Sequence, residues 1–343
     1  MNVCGNCFND FEIKSHIGAF SQSTGKCNFC GHDNVPVLDI DELMDFFIEL
    51  LGLFRNDPTG IPLVEFLQED WNLFSSKEVA SKILSVIMVD NDLFLSHQKP
   101  EIYVKYIPEI DEVISHWDYL KESLKWERRF ILETDNLIDL GWDRYFAETI
   151  SLSDESRFFR ARIHFDENSN TFCHKEMGSP PREKSSEGRA NPLGIPYLYL
   201  SKDIKTTFFE TKVLLHDEVS IGEFAVKKEA KLDFVDFTEI PSAFVGMGDL
   251  ENYSRKTLLK KRIGKDLSKP IRRYDSKIEY VPTQFICEFL RYVIGADGII
   301  FKSSLYPEGQ NIVLFNEEMV ECIDVKKYVV SEMDISFQVA QNT

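Results

Sequence analysis

The chain has 343 residues, 43% hydrophobic and 28% charged, with a formal net charge of -18. That length suits about two domains with packed cores, and the acidic balance argues against a broad nucleic-acid footprint. No apolar run approaches the ~18 residues of a membrane span, and nothing at the start resembles a secretory leader, so a soluble, cytoplasmic protein is expected.

Seven cysteines are an odd number, and four of them fall in the first 30 residues. This suits a metal site in a reducing compartment better than a disulfide framework. Cys4-Gly-Asn-Cys7 and Cys27-Asn-Phe-Cys30 form two CxxC knuckles with 19 residues between them. Tetrahedral zinc takes four thiolates from two such turns. Residues 1–37 therefore read as a zinc ribbon whose stability depends on the metal. Its charged residues make no basic face, which favours a structural or protein-contact role.

Residues 38–150 read as an all-helical middle. Asp39 opens a helix with apolar Ile40, Leu43, Phe47, Leu50, Leu51 and Phe54 at three-and-four spacing. The Asp57-Pro-Thr-Gly60 turn is expected to end it. A second helix is read over about Ile61–Leu73. Ser75 with Glu78 reads as a capping box for a third helix, to about Met88. Pro108 opens a long fourth, to about Phe130, with Ile110, Val113, Ile114, Trp117, Leu120 and Leu124 on one face. Phe46, Phe47, Trp71, Trp117 and Trp126 are expected in the core. His97 and His116 stand alone as surface or packing residues. The pattern holds no catalytic constellation, and docking, homodimerisation or regulation are the roles open to it.

Residues 151–343 carry the candidate chemistry. Phe158–Ile163 reads as a strand, followed by a polar loop over Asp166–Gly188 in which Cys173 and His174 are expected not to bind metal. The stretch Gly188–Glu210 then brings an arginine, a tyrosine and a glutamate onto three consecutive elements. Gly188-Arg189 precedes the turn Asn191-Pro-Leu-Gly194, Ile195–Leu200 reads as a strand bearing Tyr199, and Ser201 is expected to cap a helix ending in Glu210. Further strands are read at Glu223–Val226, Leu232–Phe237, Gly298–Ser304 and Asn311–Phe315. Nine Lys or Arg lie between Arg255 and Arg273 and read as a solvated helix face. Tyr280-Val-Pro-Thr-Gln284 leads into a helix bearing Glu288. The fold class expected is α+β: a ribbon, helices, and a C-terminal mixed α/β domain.

The order GRxN, YxYxS, a helix ending in glutamate and a strand ending in serine resembles the RES-domain family over about residues 155–325. The resemblance matches Arg189, Glu210 and Ser303 to the family's named residues, with Ser304 an adjacent alternative, Tyr199 its pocket tyrosine and Arg160 its upstream arginine. The ribbon and helices are more weakly similar to the HEPN-like extension of some RES proteins, but no RxxxxH motif occurs there, so ribonuclease activity is not implied. What the resemblance implies is an ADP-ribosyltransferase-like fold acting on NAD, in a toxin with an antitoxin partner. Glu210 would stabilise positive charge on the ribose. Arg189 and Arg160 would hold the pyrophosphate, Tyr199 would pack on the nicotinamide side, and Ser303 would bond the ribose or steady Glu210. Asn191, Gln284 and Glu288 are further candidates. A glycohydrolase or phosphorylase, an ADP-ribosyltransferase, and a non-enzymatic zinc-ribbon binding module all stay open at this point.

Overall fold

The computed structural model describes residues 1–90, 102–130, 134–166, 170–239, 241–270 and 276–333. His97 lies outside them. The chain forms two compact units, Met1–Tyr119 with Glu239–Lys260, and Leu120–Thr238 with Lys261–Thr343.

The first unit opens with β1 (Asn2–Cys4), α1 (Phe11–Phe20), β2 (Ser23–Gly25) and β3 (Val35–Asp39). The strands make a three-stranded sheet in the order β1-β3-β2. Asp10 caps α1 by accepting from the N–H groups of Glu12 and Ile13, the expected work of an N-cap carboxylate. Then come α2 (Met44–Leu51), β4 (Phe54–Pro62), α3 (Leu63–Glu69), α4 (Lys77–Asp90), β5 (Tyr103–Tyr106) and α5 (Pro108–Trp126). The sequence reading separates the ribbon at residue 37, whereas ribbon and helices here share one core. Phe8 of the ribbon stacks on Phe74 at 5.6 Å and lies 6.5 Å from Phe47. Ala243, Leu250 and Leu258, from the later segment of this unit, belong to the same core.

The middle is not wholly helical. β4 and β5 pair antiparallel with a bulge between Asn56 and Ile61. The Asp57–Gly60 turn therefore sits inside a strand rather than ending a helix. Asp57 accepts from the Thr59 N–H and hydroxyl, and a Cβ on Gly60 would lie 2.1 Å from the Val104 carbonyl oxygen, so the bulge requires glycine. Ser76, not Ser75, caps α4 through the Val79 N–H. Trp126 is 67% exposed at the end of α5; its indole donates to Glu122 instead of packing. Phe46, Phe47, Trp71 and Trp117 are buried as expected.

The second unit is built on an eight-stranded sheet. Its elements run α6 (Thr134–Asp139), α7 (Trp142–Tyr145), β6 (Ile150–Leu152), β7 (Arg157–Ile163), β8 (Leu198–Ser201), α8 (Ile204–Thr211), β9 (Glu218–Val226), β10 (Leu232–Asp236), the end of α9 (Leu250–Leu267, whose residues up to Lys260 belong to the first unit), α10 (Val281–Phe289), β11 (Gly298–Lys302), β12 (Gln310–Leu314) and β13 (Val320–Val329). The strand order is β13-β9-β7-β8-β12-β11-β10-β6, and only β10 with β11 is parallel. Alternating residues Leu198, Leu200, Phe234, Ile300, Ile312 and Leu314 belong to one core cluster, and Ala161, Val213, Val219 and Ile221 form a smaller one. β7 pairs with β9 over seven positions but meets β8 only at Phe159↔Ser201. Past that single pair the two strands part, and α8 packs against β7. The opening between them positions the candidate site.

Candidate active site

A cavity of about 350 Å³ lies at this opening. Arg160 of β7, Tyr199 and Ser201 of β8, Thr207, Glu210 and Thr211 of α8, Arg189, Tyr280 and Asn311 are among its walls. Thr207, Glu210 and Thr211 stand three and four positions apart, one face of a helix.

Glu210 is held through one oxygen. Its Oε1 accepts from the Ser303 hydroxyl at 2.6 Å and from the Asn311 side-chain amide at 2.6 Å. Ser303 is itself fixed, accepting from the N–H groups of Leu305 and Tyr306. Among the described residues Oε2 has no such partner, and the carboxylate lines the cavity. The helix that carries it is capped by Asp203, which accepts from the Thr206 N–H. The expected cap, Ser201, instead ends β8 and donates to Asn311 Oδ1 at 3.1 Å.

Arg189 spends two of its N–H groups internally. One terminal nitrogen donates to the Leu267 carbonyl at 2.6 Å and the other to Ser304 at 3.1 Å. The two neighbouring serines thus divide: Ser303 holds Glu210, and Ser304 holds Arg189. Burial lowers the Arg189 pKa, while Tyr280, Glu210 and Tyr199 favour its charged form. Arg160 also feels burial and the neighbouring Arg162, both of which lower its pKa, against Glu317, which raises it. One of its terminal nitrogens is buried with no hydrogen-bond partner among the described residues.

Tyr199 lines the cavity, but its hydroxyl is spent on the Arg189 loop: it accepts from the Ala190 N–H at 3.1 Å and donates to Asn191 Oδ1 at 2.7 Å. Burial raises its pKa. Asn191 and Gln284 do not line the cavity. The Asn191 amide donates to the carbonyls of Ser186, Pro192 and Ile195, and Gln284 donates to those of Gly188 and Asn191. Both are loop-building residues here. Thr283 adds a bond to the Arg189 carbonyl at 2.6 Å. Glu288 is also outside the cavity wall; its pKa is raised by burial, against Arg291. Sequence reasoning passed over Asn311 as a site residue, and Tyr280 and Thr207 with it. The signal for Asn311 was a polar residue opening the apolar run Ile312-Val-Leu-Phe315.

The four ribbon cysteines converge in the first unit. Their sulfurs lie within 4.8 Å of one another, with Cys4–Cys30 and Cys7–Cys27 at 3.4 Å. Tetrahedral zinc with bonds of about 2.3 Å would place its sulfurs about 3.8 Å apart, so the donor set fits such an ion. Burial pushes the Cys4 thiol up to about 12. Burial also works against a Cys27 thiolate, but the N–H groups of Cys30 and Phe29 outweigh it and bring that thiol down to about 7. A thiolate favoured at a knuckle by backbone donors is the form a metal binds. No other His, Cys, Asp or Glu cluster suited to a metal occurs among the described residues, and Cys173 and His174 are outside it.

Part of the basic stretch is ion-paired. Arg255 pairs with Glu251, Lys121 pairs with Asp266 at 3.0 Å, and Lys269 lies 3.6 Å from Glu279. Lys256, Lys260, Lys261 and Arg262 have partners as well; Arg272 and Arg273 lie outside the described residues. Among the described residues no helix is long and apolar enough to cross a membrane.

The second unit is thus a mixed α/β domain with Arg189 and Glu210 on the wall of one cavity and Ser303, itself outside that wall, bonded to Glu210. The model of the RES domain matches residues 157–337, more than half of the chain, and the chain belongs to the RES-domain family. Among solved structures it is similar to a chain of the M. tuberculosis MbcT–MbcA toxin–antitoxin complex, at 11% identity and a TM-score of 0.32, covering 55% of this chain and 92% of that one. At that score the likeness carries no argument. No curated protein matches the sequence.

Proposed function

We propose that the protein consumes NAD, breaking the bond between nicotinamide and ribose. The observation that carries this reading is the Glu210 carboxylate, fixed through Oε1 by Ser303 and Asn311 beside a cavity lined by two arginines. As the C–N bond breaks, its electron pair leaves with nicotinamide, which departs neutral, and the ribose carbon gains oxocarbenium character. Oε2 of Glu210 stabilises that charge. A water then bonds the carbon and its proton passes to solvent, giving ADP-ribose; phosphate in its place gives a phosphorylated ADP-ribose. Arg189 and Arg160 hold the pyrophosphate with charge-assisted bonds.

Family resemblance supports placing the activity in a toxin restrained by a partner protein, in the reducing cytoplasm. Seven unpaired cysteines agree with such a compartment. In the same reading Cys4, Cys7, Cys27 and Cys30 hold one zinc ion, and the helices beside it serve docking or dimer formation.

The test is nicotinamide release from NAD by the purified protein, with and without phosphate, beside Glu210→Gln. Wild-type release that Glu210→Gln abolishes while remaining folded supports the reading. Free ADP-ribose, its phosphate, or label on a macromolecule separates hydrolysis, phosphorolysis and transfer. No release under any of these conditions, in lysate included, overturns it.

A further inference from the structure

Asn311 is buried at 7% exposure in the first half of β12, directly across from Ser201 of β8 in the strand register. Its side chain is used from both ends. Oδ1 accepts from the Ser201 hydroxyl at 3.1 Å, and Nδ2 donates to Glu210 Oε1 at 2.6 Å. The Glu210 carboxylate decides the amide's orientation: a carboxylate only accepts, so the nitrogen faces it, and Oδ1 is left for the Ser201 hydroxyl, which can donate. A fixed amide is a donor that cannot change its protonation state. With Ser303 it occupies Oε1 completely and leaves Oε2 to the cavity.

We infer that Asn311 is a positioning residue of the reaction proposed above: it sets which oxygen of Glu210 meets the ribose. The assignment rests on that reading of the site. Apolar packing alone would not ask for an amide here, since the three residues that follow it in the strand, Ile312, Val313 and Leu314, are buried and apolar. The charged and titratable groups facing Glu210 across the cavity are Arg189, Arg160, Tyr199 and Tyr280, and none of them bonds Oε1.

Two variants test it. Asn311→Ala removes the donor. The expected result is a fall in kcat of about 10- to 100-fold with KM for NAD within about threefold, the scale of a misplaced catalytic group. Asn311→Asp keeps the shape but places a second carboxylate against Oε1. Two carboxylates so close share a proton, and one of the pair's apparent pKa values rises. The acidic limb of the pH–rate profile should then move upward by at least one unit, with activity recovering as pH increases. A merely structural asparagine would lower stability in Asn311→Ala and leave its kcat near wild type. Wild-type turnover combined with Asn311→Ala at near-wild-type kcat, or with an unshifted Asn311→Asp profile, overturns this assignment alone. If Asn311→Ala fails to fold, the near-isosteric Asn311→Asp profile decides. A wild type that releases no nicotinamide overturns the NAD reading and this assignment together.

Discussion

Arg189 offers a quantitative test of the anion clamp. A guanidinium has five N–H donors in a rigid fork. Two of them are committed, to the Leu267 carbonyl and to Ser304, which leaves three for a bound anion. Arg189→Lys preserves the charge but has only three donors on one atom. Keeping both internal bonds would leave one for the ligand. The loss is that of a bidentate charge-assisted contact, about 1.5–3 kcal/mol. At ~1.4 kcal/mol per factor of ten, KM for NAD should rise about 10- to 150-fold, with kcat changed far less because the contact is made in both ground and transition states. Initial rates of nicotinamide release across a range of NAD concentrations measure this, with a melting curve to show that the variant is folded. An unchanged KM, or a loss confined to kcat, would refute the clamp and assign Arg189 to transition-state chemistry or to loop structure.

Other substitutions separate the neighbouring residues. Ser303→Ala removes the second donor to Glu210 and leaves the Leu305 and Tyr306 N–H groups without their acceptor; kcat should fall about 10- to 100-fold, whereas Ser304→Ala, acting on Arg189, should raise KM instead. Steady-state kinetics on both tells them apart. Gly188→Ala would put a Cβ 2.6 Å from the Tyr199 hydroxyl and 2.7 Å from Asn191 Oδ1, breaking the bond that shapes the Arg189 loop; a stability loss of about 1–3 kcal/mol, read from denaturant unfolding, should accompany weaker NAD binding. Native mass spectrometry should show one zinc per chain, absent in Cys7→Ser. Chelation should expose the first unit to proteolysis, since metal binding in such small sites contributes on the order of 10 kcal/mol to folding.

The sequence disclosed what depends on local order. Two CxxC knuckles announce a four-thiolate cluster because both halves of each knuckle are close in the chain, and the structure gathers all four sulfurs. Turn chemistry at Asn191–Gly194 and the apolar runs of β8, β11 and β12 were equally readable. What it hid depends on register across the sheet. Asn311 reaches Glu210 only because β12 pairs with β8 so that Asn311 faces Ser201, a relation between residues 110 positions apart. The same holds for Tyr199, legible as an aromatic pocket residue, whose hydroxyl turns out to be spent on Ala190 and Asn191. The β4–β5 ribbon was missed for a related reason: Asp57-Pro-Thr-Gly60 is a strong turn signal, and only pairing with Val104 converts it into a bulge.

The cavity contains no histidine among its lining residues, and the chemistry proposed for it does not need one. Nicotinamide leaves a pyridinium as a neutral molecule, so no acid has to protonate the leaving group, and the reaction asks for charge stabilisation at carbon rather than proton transfer at nitrogen. In the proposed reaction, Glu210, with one oxygen held by two neutral donors, would perform that task. The same logic accounts for how positive charge is placed. Arg189 is restrained by Leu267 and Ser304 instead of pairing directly with Glu210; in the proposed reaction the carboxylate's other oxygen would then serve the ribose and the remaining guanidinium donors the phosphate. An Arg189–Glu210 ion pair would satisfy both side chains and abolish both functions. Ser303, Ser304 and Asn311 supply the neutral bonds that hold the two charges separately beside one cavity.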